Sequence, residues 1–379
     1  MTRSSTTFLH DGSASRPPEG TLAHYRTLGK CVPQLSPAHA PRSSALHPMQ
    51  TTRVVIGISP KAGAGDGRAT AEQLHHCLLA KGLESYVAES LPEIQQLVRQ
   101  AEPGPHHCCV VAAGGDGTLN LLASQLPPNC PIMPYPLGTE NLVARHYGLF
   151  PNGCRQPPEW MAEVVAAGST IPIDAGIARF PARGNRPARE RMFLIMASVG
   201  FDAEVVRRMH LTRRGHIRRW SYFKPIWQTI RSYRYPAIQV VPLDAYSVPS
   251  PSAAASVDSS DQPLTVAWAL VFNLPQYAAR LAICPAADET DGQLDFCGFA
   301  KGSHFHGLRY FLGVASKQHG NWKDVVQTRG NGWRLSSNQP VAVQLDGDYV
   351  GRLPIDLQVL PKRVHLRLPA DYQAKCDVV

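Results

Sequence analysis

Short apolar runs alternate with helix-like stretches from residue 53 onward, and this alternation constrains the fold more than any other feature of the sequence. Apolar runs at 54–58, 86–88, 108–113 and 131–136 have the length of strands that are buried on both faces. Between them, alanine, leucine and isoleucine recur at intervals of three and four residues, as in helices with one buried side. Strands separated by helices in this way predict a parallel sheet covered by helices.

The pattern changes after about residue 170. Apolar residues then alternate with polar ones, for example along 341–345, 355–359 and 364–368, which is typical of strands with one buried face. This half therefore predicts a mostly antiparallel sandwich or barrel. The polar stretch 179–191 predicts an exposed loop.

Composition narrows the class of protein. Hydrophobic residues make up 44% of the 379 residues and charged residues 18%, which excludes a wholly disordered chain. No apolar run approaches the roughly 18 residues of a membrane-spanning helix, and we expect a cytoplasmic protein. The nine cysteines form no Cys-x-x-Cys pair, which predicts reduced thiols. The net charge of +9 favours anionic partners. Residues 1–50 are rich in proline without apolar periodicity, which predicts a disordered tail.

A glycine-rich turn, Gly-Gly-Asp-Gly-Thr-Leu-Asn at 114–120, separates a buried strand from a helix. Glycines at a strand end let backbone N–H groups approach phosphate oxygens, and the start of the next helix adds its dipole. Asp116 then suits a Mg²⁺ ligand or a group that orients a hydroxyl for phosphoryl transfer. The alternative is a tight glycine turn in which Asp116 caps its own helix.

Two more turns follow strands of the same sheet, at 136–141 and at 59–65. The carboxyl ends of parallel strands lie at one edge, where ligands bind. Thr139 and Asn141 can hydrogen-bond a phosphate or a ribose, and Lys61 falls at the same edge. The alternative is a Pro/Gly connection with Thr139 as a helix N-cap.

These three turns resemble the nucleotide site of the diacylglycerol kinase catalytic domain family, which includes bacterial diacylglycerol kinases and sphingosine and ceramide kinases and lies in the NAD kinase-like superfamily. The similarity runs from about residue 54 to 369, with later matches at 193–203, 286–295 and 346–354. It implies an N-terminal three-layer α/β domain with a parallel sheet and a C-terminal antiparallel β-sandwich domain. The implied boundaries are a tail at 1–50, a nucleotide-binding domain at 51–170, a β-rich substrate domain at 171–354, and C-terminal strands at 355–379 that return towards the first domain.

The resemblance also implies site residues. Expected to bind the nucleotide are Ser59, Pro60, Lys61, Gly63, Gly114, Gly115, Gly117, Thr118, Asn120, Gly138, Thr139 and Asn141. The expected catalytic residues are Asp116, Asp346 and Asp348, and Asp291 corresponds to a structural Mg²⁺ ligand. Taken alone, the Asp-Gly pairs at 291 and 346 also suit tight hairpin turns.

The implied activity is transfer of the γ-phosphate of Mg·ATP to the hydroxyl of a lipid, such as diacylglycerol or a sphingoid base. An NAD kinase and a non-catalytic nucleotide- or lipid-binding protein are the alternatives. Asp348 stands where the family has Glu, which retracts the carboxylate by about 1.5 Å and motivates the non-catalytic alternative.

A basic and aromatic stretch runs from Arg207 to Lys224. Arginines with interfacial aromatic residues suit contact with an anionic membrane that carries the lipid substrate. The alternative is a solvated helix pair with its aromatic residues in the core. We expect no nucleic-acid partner, because no known binding motif surrounds the stretch.

Overall fold

The structure is a computed structural model, and it describes residues 53–58, 67–101, 108–212, 223–243, 263–275 and 283–372. The helices of this part are α1 (Gly67–Ala80), α2 (Leu91–Arg99), α3 (Asp116–Gln125), α4 (Leu142–His146), α5 (Pro158–Ala167), α6 (Phe201–Thr212), α7 (Phe223–Ser232) and α8 (His304–Ala315). The strands of the first half are β1 (Arg53–Ile58), β2 (Glu84–Ala88), β3 (Cys108–Gly114), β4 (Pro131–Pro136), β5 (Ser169–Phe180), β6 (Arg189–Phe193) and β7 (Met196–Val199). Those of the second half are β8 (Ile238–Pro242), β9 (Leu264–Val266), β10 (Trp268–Phe272), β11 (Leu294–Phe299), β12 (Val325–Gly330), β13 (Gly332–Ser336), β14 (Ala342–Leu345), β15 (Asp348–Arg352) and β16 (Ile355–Leu368).

Strands β2, β1, β3 and β4 lie side by side in that order and are parallel. Their side chains alternate between two cores. Ile56 and Val111 face the core shared with α1 and α5, whereas Val55 and Val110 face the core shared with α2, α3 and α4. Because helices cover both faces, the strands are apolar at almost every position.

Two sheets form the second half. Strand β7 pairs with β10 and β14 in a six-stranded antiparallel sheet, whose order is β12-β11-β10-β7-β14-β15 among the described residues. Its inner face packs against β5, β8, β13 and β16 around Phe193, Phe296 and Trp333. The predicted fold class, a three-layer α/β domain followed by an antiparallel β-sandwich, is confirmed.

The long strand β16 connects the two halves. Its second part pairs in parallel with β4, with Leu366 opposite Ile132, and its first part pairs with β13, with Leu357 opposite Trp333. Strand β5 runs antiparallel along both parts, and the register shifts between Leu360 and Val364. A single sheet therefore crosses from the α/β half into the sandwich, which fixes the parallel strands relative to the β-rich half.

The stretch 179–191 is a hairpin of β5 and β6, in which Arg179 faces Glu190 and the chain turns at 183–186, so the predicted loop is wrong at both of its ends. Its polar side chains are exposed while the backbone still pairs. The predicted tail at 1–50 lies outside the described residues. In the described part, no helix combines the length and apolar character that crossing a bilayer requires.

Candidate active site

Two turns meet at the carboxyl edge of the parallel sheet, where β3 and β4 end. The backbone N–H of Leu137 donates to the carbonyl of Gly114 at 2.9 Å, so the two backbone segments stay paired where β3 and β4 end. We call residues 114–118 and 136–143 the strand–helix edge. A small cavity beneath it is lined by Leu119, Pro134, Tyr135 and Ala144, among others.

Glycine is required where the two turns touch. A Cβ added to Gly138 would lie 2.6 Å from the Cα of Gly115, well inside van der Waals contact. Without side chains at these positions, the two backbones pack directly on each other. The edge therefore presents main chain to solvent and to any ligand.

Asn141 shapes the second turn from inside. It has a left-handed backbone with φ of 50°, a conformation that asparagine tolerates better than most residues. Its Oδ1 accepts from the N–H of Gly138 at 3.0 Å and its Nδ2 donates to the carbonyl of Gly138 at 2.8 Å. The side chain is buried, so its polar atoms serve the turn. It is also the residue that precedes α4, so it holds the N-cap position that the alternative interpretation of this turn gave to Thr139.

Asp116 bridges the two turns. Its Oδ2 accepts from the N–H of Leu142 at 2.8 Å and its Oδ1 from the N–H of Val143 at 3.0 Å. Asp116 is the first residue of α3, yet its carboxylate caps the start of α4, where the helix dipole favours negative charge. Burial raises the pKa of Asp116, and the two N–H donors oppose that rise. The carboxylate therefore joins the two helix starts.

The residues nearest solvent at the edge are Gly117 and Thr139, both exposed. Around Gly117 there is open space where a side chain would point. The hydroxyl of Thr118 lies over Gly114 and leaves no room there for a Cβ. Of the predicted nucleotide ligands that the structure describes, Gly117 and Thr139 are thus the most accessible, whereas Asn141 is enclosed.

Asn120 faces the β-rich half. Its Nδ2 donates to the carboxylate of Asp346 at 2.9 Å and to the carbonyl of Met192 at 3.1 Å. The Asp346 carboxylate also accepts from the backbone N–H groups of residues 194–196, at 2.8 to 2.9 Å. Asn120, predicted as a nucleotide ligand, therefore fastens α3 to the other half of the molecule.

Burial raises the pKa of Asp346 to about 6, against the backbone donors that lower it, and the negative charge of nearby Asp116 adds to the rise. Asp346 and Gly347 both have positive φ, at 48° and 89°, and they connect Leu345 to Asp348, which pair directly. This is the tight hairpin turn that the Asp-Gly pair suits. Asp348 itself is exposed.

Asp291 pairs with a guanidinium. Arg329 Nη1 lies 3.3 Å from its Oδ2, and Arg329 Nε lies 3.2 Å from the Oδ1 of Asp295. In the described part of the chain, no three Asp, Glu, His or Cys side chains gather as metal ligands. The Asp291 carboxylate is thus paired with Arg329, and its predicted role as a structural Mg²⁺ ligand stays a prediction. Gly292 has positive φ and donates to the buried Asp174, so this Asp-Gly pair makes a turn against β5 rather than a hairpin.

Two buried acids escaped the sequence analysis. Glu289 accepts from Tyr147 Oη at 2.6 Å and lies 2.9 Å from His146 Nε2, which ties the end of α4 to the β-rich half. Burial opposes ionisation of Glu289, but these hydrogen bonds hold its pKa below the usual range. Asp174 accepts from the N–H groups of Gly292 and Lys362. Its place among apolar residues of β5 was the available signal, since a buried carboxylate needs partners.

The turn after β1 also carried predicted ligands. Ser59, Pro60, Lys61 and Gly63 lie outside the described residues. Their predicted role in nucleotide binding stays a prediction.

Comparison with known families gives two matches that together cover most of the chain. Residues 53–178 match the family described as diacylglycerol kinase catalytic domain. Residues 196–368 match the family described as YegS C-terminal NAD kinase beta sandwich-like domain. The first match contains the strand–helix edge, and the second contains the Asp291 and Asp346 turns.

Individual relatives are distant. A diacylglycerol kinase of Mycobacterium tuberculosis (strain ATCC 25618 / H37Rv) is 26% identical over 69% of this chain and 76% of its own length. A diacylglycerol kinase of Bacillus subtilis (strain 168) is 21% identical over 71% of this chain and 80% of its own. An uncharacterized protein of Synechocystis is 22% identical over 76% of this chain, and the match spans 62% of that relative.

Solved structures share the fold. A crystal structure of a diacylglycerol kinase from Bacillus anthracis str. Sterne has a TM-score of 0.56 at 17% identity, over 84% of this chain and 97% of that one. A second crystal structure from the same organism, with the same coverage, has a TM-score of 0.59 at 15% identity.

Proposed function

The chain belongs to the diacylglycerol kinase catalytic domain family, and from this premise we propose that it transfers the γ-phosphate of ATP to the hydroxyl of a lipid. The strand–helix edge carries the proposal. Packing of Gly115 against Gly138 leaves main chain rather than side chains at the surface. Helix α3 begins there, and the start of a helix favours phosphate.

We assign phosphate contacts to the backbone N–H of Gly117 and to the hydroxyl of Thr139, because the N–H of Thr118 already donates to the carbonyl of Gly115 at 2.9 Å. Gly117 and Thr139 are exposed, and nothing in the described chain fills the space around Gly117. Phosphoryl transfer depends mostly on positioning and on neutralising charge, which preorganised backbone donors supply.

Asp116 suits a magnesium ligand. A carboxylate has about four lone-pair positions, and Leu142 and Val143 use one on each oxygen. Magnesium is commonly held by one or two carboxylates together with substrate phosphates and water, so a single acid at this edge is enough. When bound, the metal would neutralise phosphate charge.

We assign the proton-accepting role to Asp348 rather than to Asp346. The Asp346 carboxylate already accepts four hydrogen bonds, and it sets the position of the hairpin. Asp348 is exposed at the start of β15, where an acceptor hydroxyl can reach it. Asp346 is then a positioning residue for Asp348.

The test is phosphate transfer from labelled ATP to diacylglycerol, to a sphingoid base and to NAD, each in the presence of Mg²⁺. We expect a labelled lipid and unlabelled NAD. Labelled NAD would point to the NAD kinase alternative. An ATP-dependent rise in melting temperature with no labelled product would point to a non-catalytic binding protein.

Gly117→Ala sharpens this test. Outside its chain neighbours and the backbone of its own helix, the added methyl group meets no atom within 4 Å, so the fold should persist, but the methyl group would lie where phosphate has to approach. We expect nucleotide affinity and turnover to fall at least tenfold. Gly320→Ala is the matched control, since Gly320 is exposed and an added Cβ comes no closer than 3.6 Å to another atom. Equal ATP binding by the two variants would remove the phosphate site from this edge.

A further inference from the structure

Exposed apolar side chains concentrate on helices α7 and α8. In the described part of the chain, seven large hydrophobic side chains are exposed, and five of them belong to these two helices. We call these five the α7–α8 face: Trp227, Phe305, Leu308, Phe311 and Leu312.

Helix α8 is apolar on two sides. Tyr310 and Val314 are buried in the core beneath it. On the outside, Phe305 is 72% exposed and Leu312 is 58% exposed. With Leu308 they follow the spacing that places side chains on one side of a helix. The inner side is explained by the core, but the outer side remains exposed to solvent. Single exposed apolar residues are ordinary, whereas a contiguous set indicates an interaction surface.

Helix α7 packs against α8 and contributes Trp227, which is 55% exposed. The guanidinium of Arg231, one turn further along α7, lies 5.9 Å from the Trp227 ring. An exposed tryptophan beside an arginine combines an apolar body with a positive charge at the same surface.

The sequence around both helices lacks acidic residues. Residues 205–243 contain nine lysines and arginines and no aspartate or glutamate, and residues 296–323 contain four and none. At the chain average of 29 acidic residues in 379, the two segments together would hold about five. Arg231, Arg234 and Lys301 are exposed within them.

Two arginines of α6, which precedes α7 in the chain, are already paired. Arg207 and Arg208 both form ion pairs with Glu204, at 2.7 and 2.8 Å. Residues 213–222 lie outside the described residues. Among the described residues in and beside α7 and α8, the exposed cations include Arg231, Arg234 and Lys301.

We propose that the α7–α8 face docks onto an anionic lipid bilayer. Its apolar side chains would enter the boundary between headgroups and acyl chains, and the flanking cations would contact anionic headgroups. A second copy of this chain is a poor occupant, because two faces with the same positive surroundings would repel each other. Docking needs neither nucleotide nor acceptor, so it can be tested apart from the proposed function.

The experiment is sedimentation of the full chain with vesicles of phosphatidylcholine alone and of phosphatidylcholine mixed with phosphatidylglycerol, without ATP. We expect binding to the mixed vesicles that weakens as salt is added. Replacing Arg231 by glutamine should weaken that binding about fivefold. The emission of Trp227, identified by comparison with Trp227→Phe, should shift to shorter wavelength on the mixed vesicles.

The apolar contribution is tested by Phe305→Gln combined with Leu312→Gln. Because both side chains are exposed, folding should be unaffected, and binding to the mixed vesicles should fall about tenfold or more. Leu79→Gln is the matched control, since Leu79 is 47% exposed on α1, away from this face. It should bind like the unmodified chain.

Three outcomes would overturn the proposal. One is equal binding to both kinds of vesicle. Another is unchanged binding by the Phe305 and Leu312 double variant, with an unmoved Trp227 emission. The third is a dimer, seen by analytical ultracentrifugation, that the double variant dissociates while vesicle binding persists.

Discussion

The strand–helix edge and the α7–α8 face are built in opposite ways. At the edge, polar side chains such as Asp116 and Asn141 turn inward and hold the backbone, while glycine and main chain reach the surface. At the face, apolar side chains such as Phe305 and Leu312 reach the surface. The helix beneath them is anchored by buried Tyr310 and by the ion pair of Arg309 with Asp324.

This difference separates two kinds of binding surface. An edge that recognises phosphate with backbone N–H groups needs those groups held rigidly, because an ordered donor loses little freedom on binding. A face that meets a fluid bilayer needs exposed apolar area and charge, but no precise geometry. Substitutions should therefore cost much folding stability where polar groups hold the edge and little on the outside of the face.

The largest loss of stability should follow Asp346→Ala, which breaks the link between α3 and residues 194–196. Three backbone N–H groups and Asn120 would lose their acceptor. At about 1 to 3 kcal/mol for each buried donor left without a partner, partly relieved by water, we expect the free energy of unfolding to fall by about 3 to 5 kcal/mol. Urea denaturation measures it.

Asn tolerates the positive φ and keeps one acceptor oxygen, so Asp346→Asn should lower the free energy of unfolding by roughly half as much as Asp346→Ala does. Asp348→Ala, two residues along and exposed, should change stability by less than about 0.5 kcal/mol. Similar losses at 346 and 348 would contradict the role given to the Asp346 carboxylate.

Asp116→Asn should cause the second largest loss of folding stability. The amide oxygen of Asn can still accept from one of the N–H groups of Leu142 and Val143, but its NH₂ group would point at the other N–H. We expect unfolding free energy to fall by about 1 to 3 kcal/mol and phosphate transfer to be lost even where the variant is folded. Activity and urea denaturation should be measured on the same sample, because a stable variant with full activity would exclude Asp116 from both roles.

Much of the fold could be predicted because burial leaves a direct trace in the sequence. The strands of the parallel sheet are covered on both faces, so they are nearly continuous apolar runs, and the sandwich strands show strict alternation. The β5–β6 hairpin was missed because its exposed polar side chains, from Arg179 to Arg191, carry no burial signal. The sequence also could not predict that β16 crosses between the two halves, because the pairing of Leu366 with Ile132 joins residues far apart in the chain.

The location of the candidate site could be predicted from the sequence, but the roles of its polar side chains could be predicted less well. Turns after neighbouring parallel strands lie at one edge by geometry, so the meeting of Gly115 and Gly138 follows from the fold. Whether a polar side chain serves a ligand or its own backbone depends on a few ångströms that spacing does not encode. Asn120 and Asn141 were predicted as ligands; both hydrogen-bond protein groups here, and their role in nucleotide binding stays a prediction.

A smaller effect should appear with pH at the anchor of α8. The hydrogen bond from Arg309, with that from Tyr310, holds the pKa of Asp324 down to about 2, below about 3.9 in an unfolded chain. The stabilisation is thus complete above about pH 4 and is lost as pH falls towards about 2. We expect the ionised Asp324 to contribute about 1 to 2 kcal/mol to the free energy of unfolding, after allowing for the partial exposure of Arg309. The unfolding free energies of the unmodified chain and of Asp324→Asn should converge as the solution is acidified. A constant difference would argue against an ionised pair.

The smallest effect should be found on the outside of α8. Leu312 is mostly exposed, and glutamine forms helix nearly as well as leucine, so Leu312→Gln should change the free energy of unfolding by less than about 0.5 kcal/mol. Val314, two residues further along the same helix, is buried, and Val314→Ala should cost about 1 to 3 kcal/mol through lost burial and a cavity. Thermal unfolding of the two variants compares the outer and inner sides of one helix. If Leu312→Gln were the more costly change, Leu312 would be packed within the fold, and the contrast between the edge and the face would not hold.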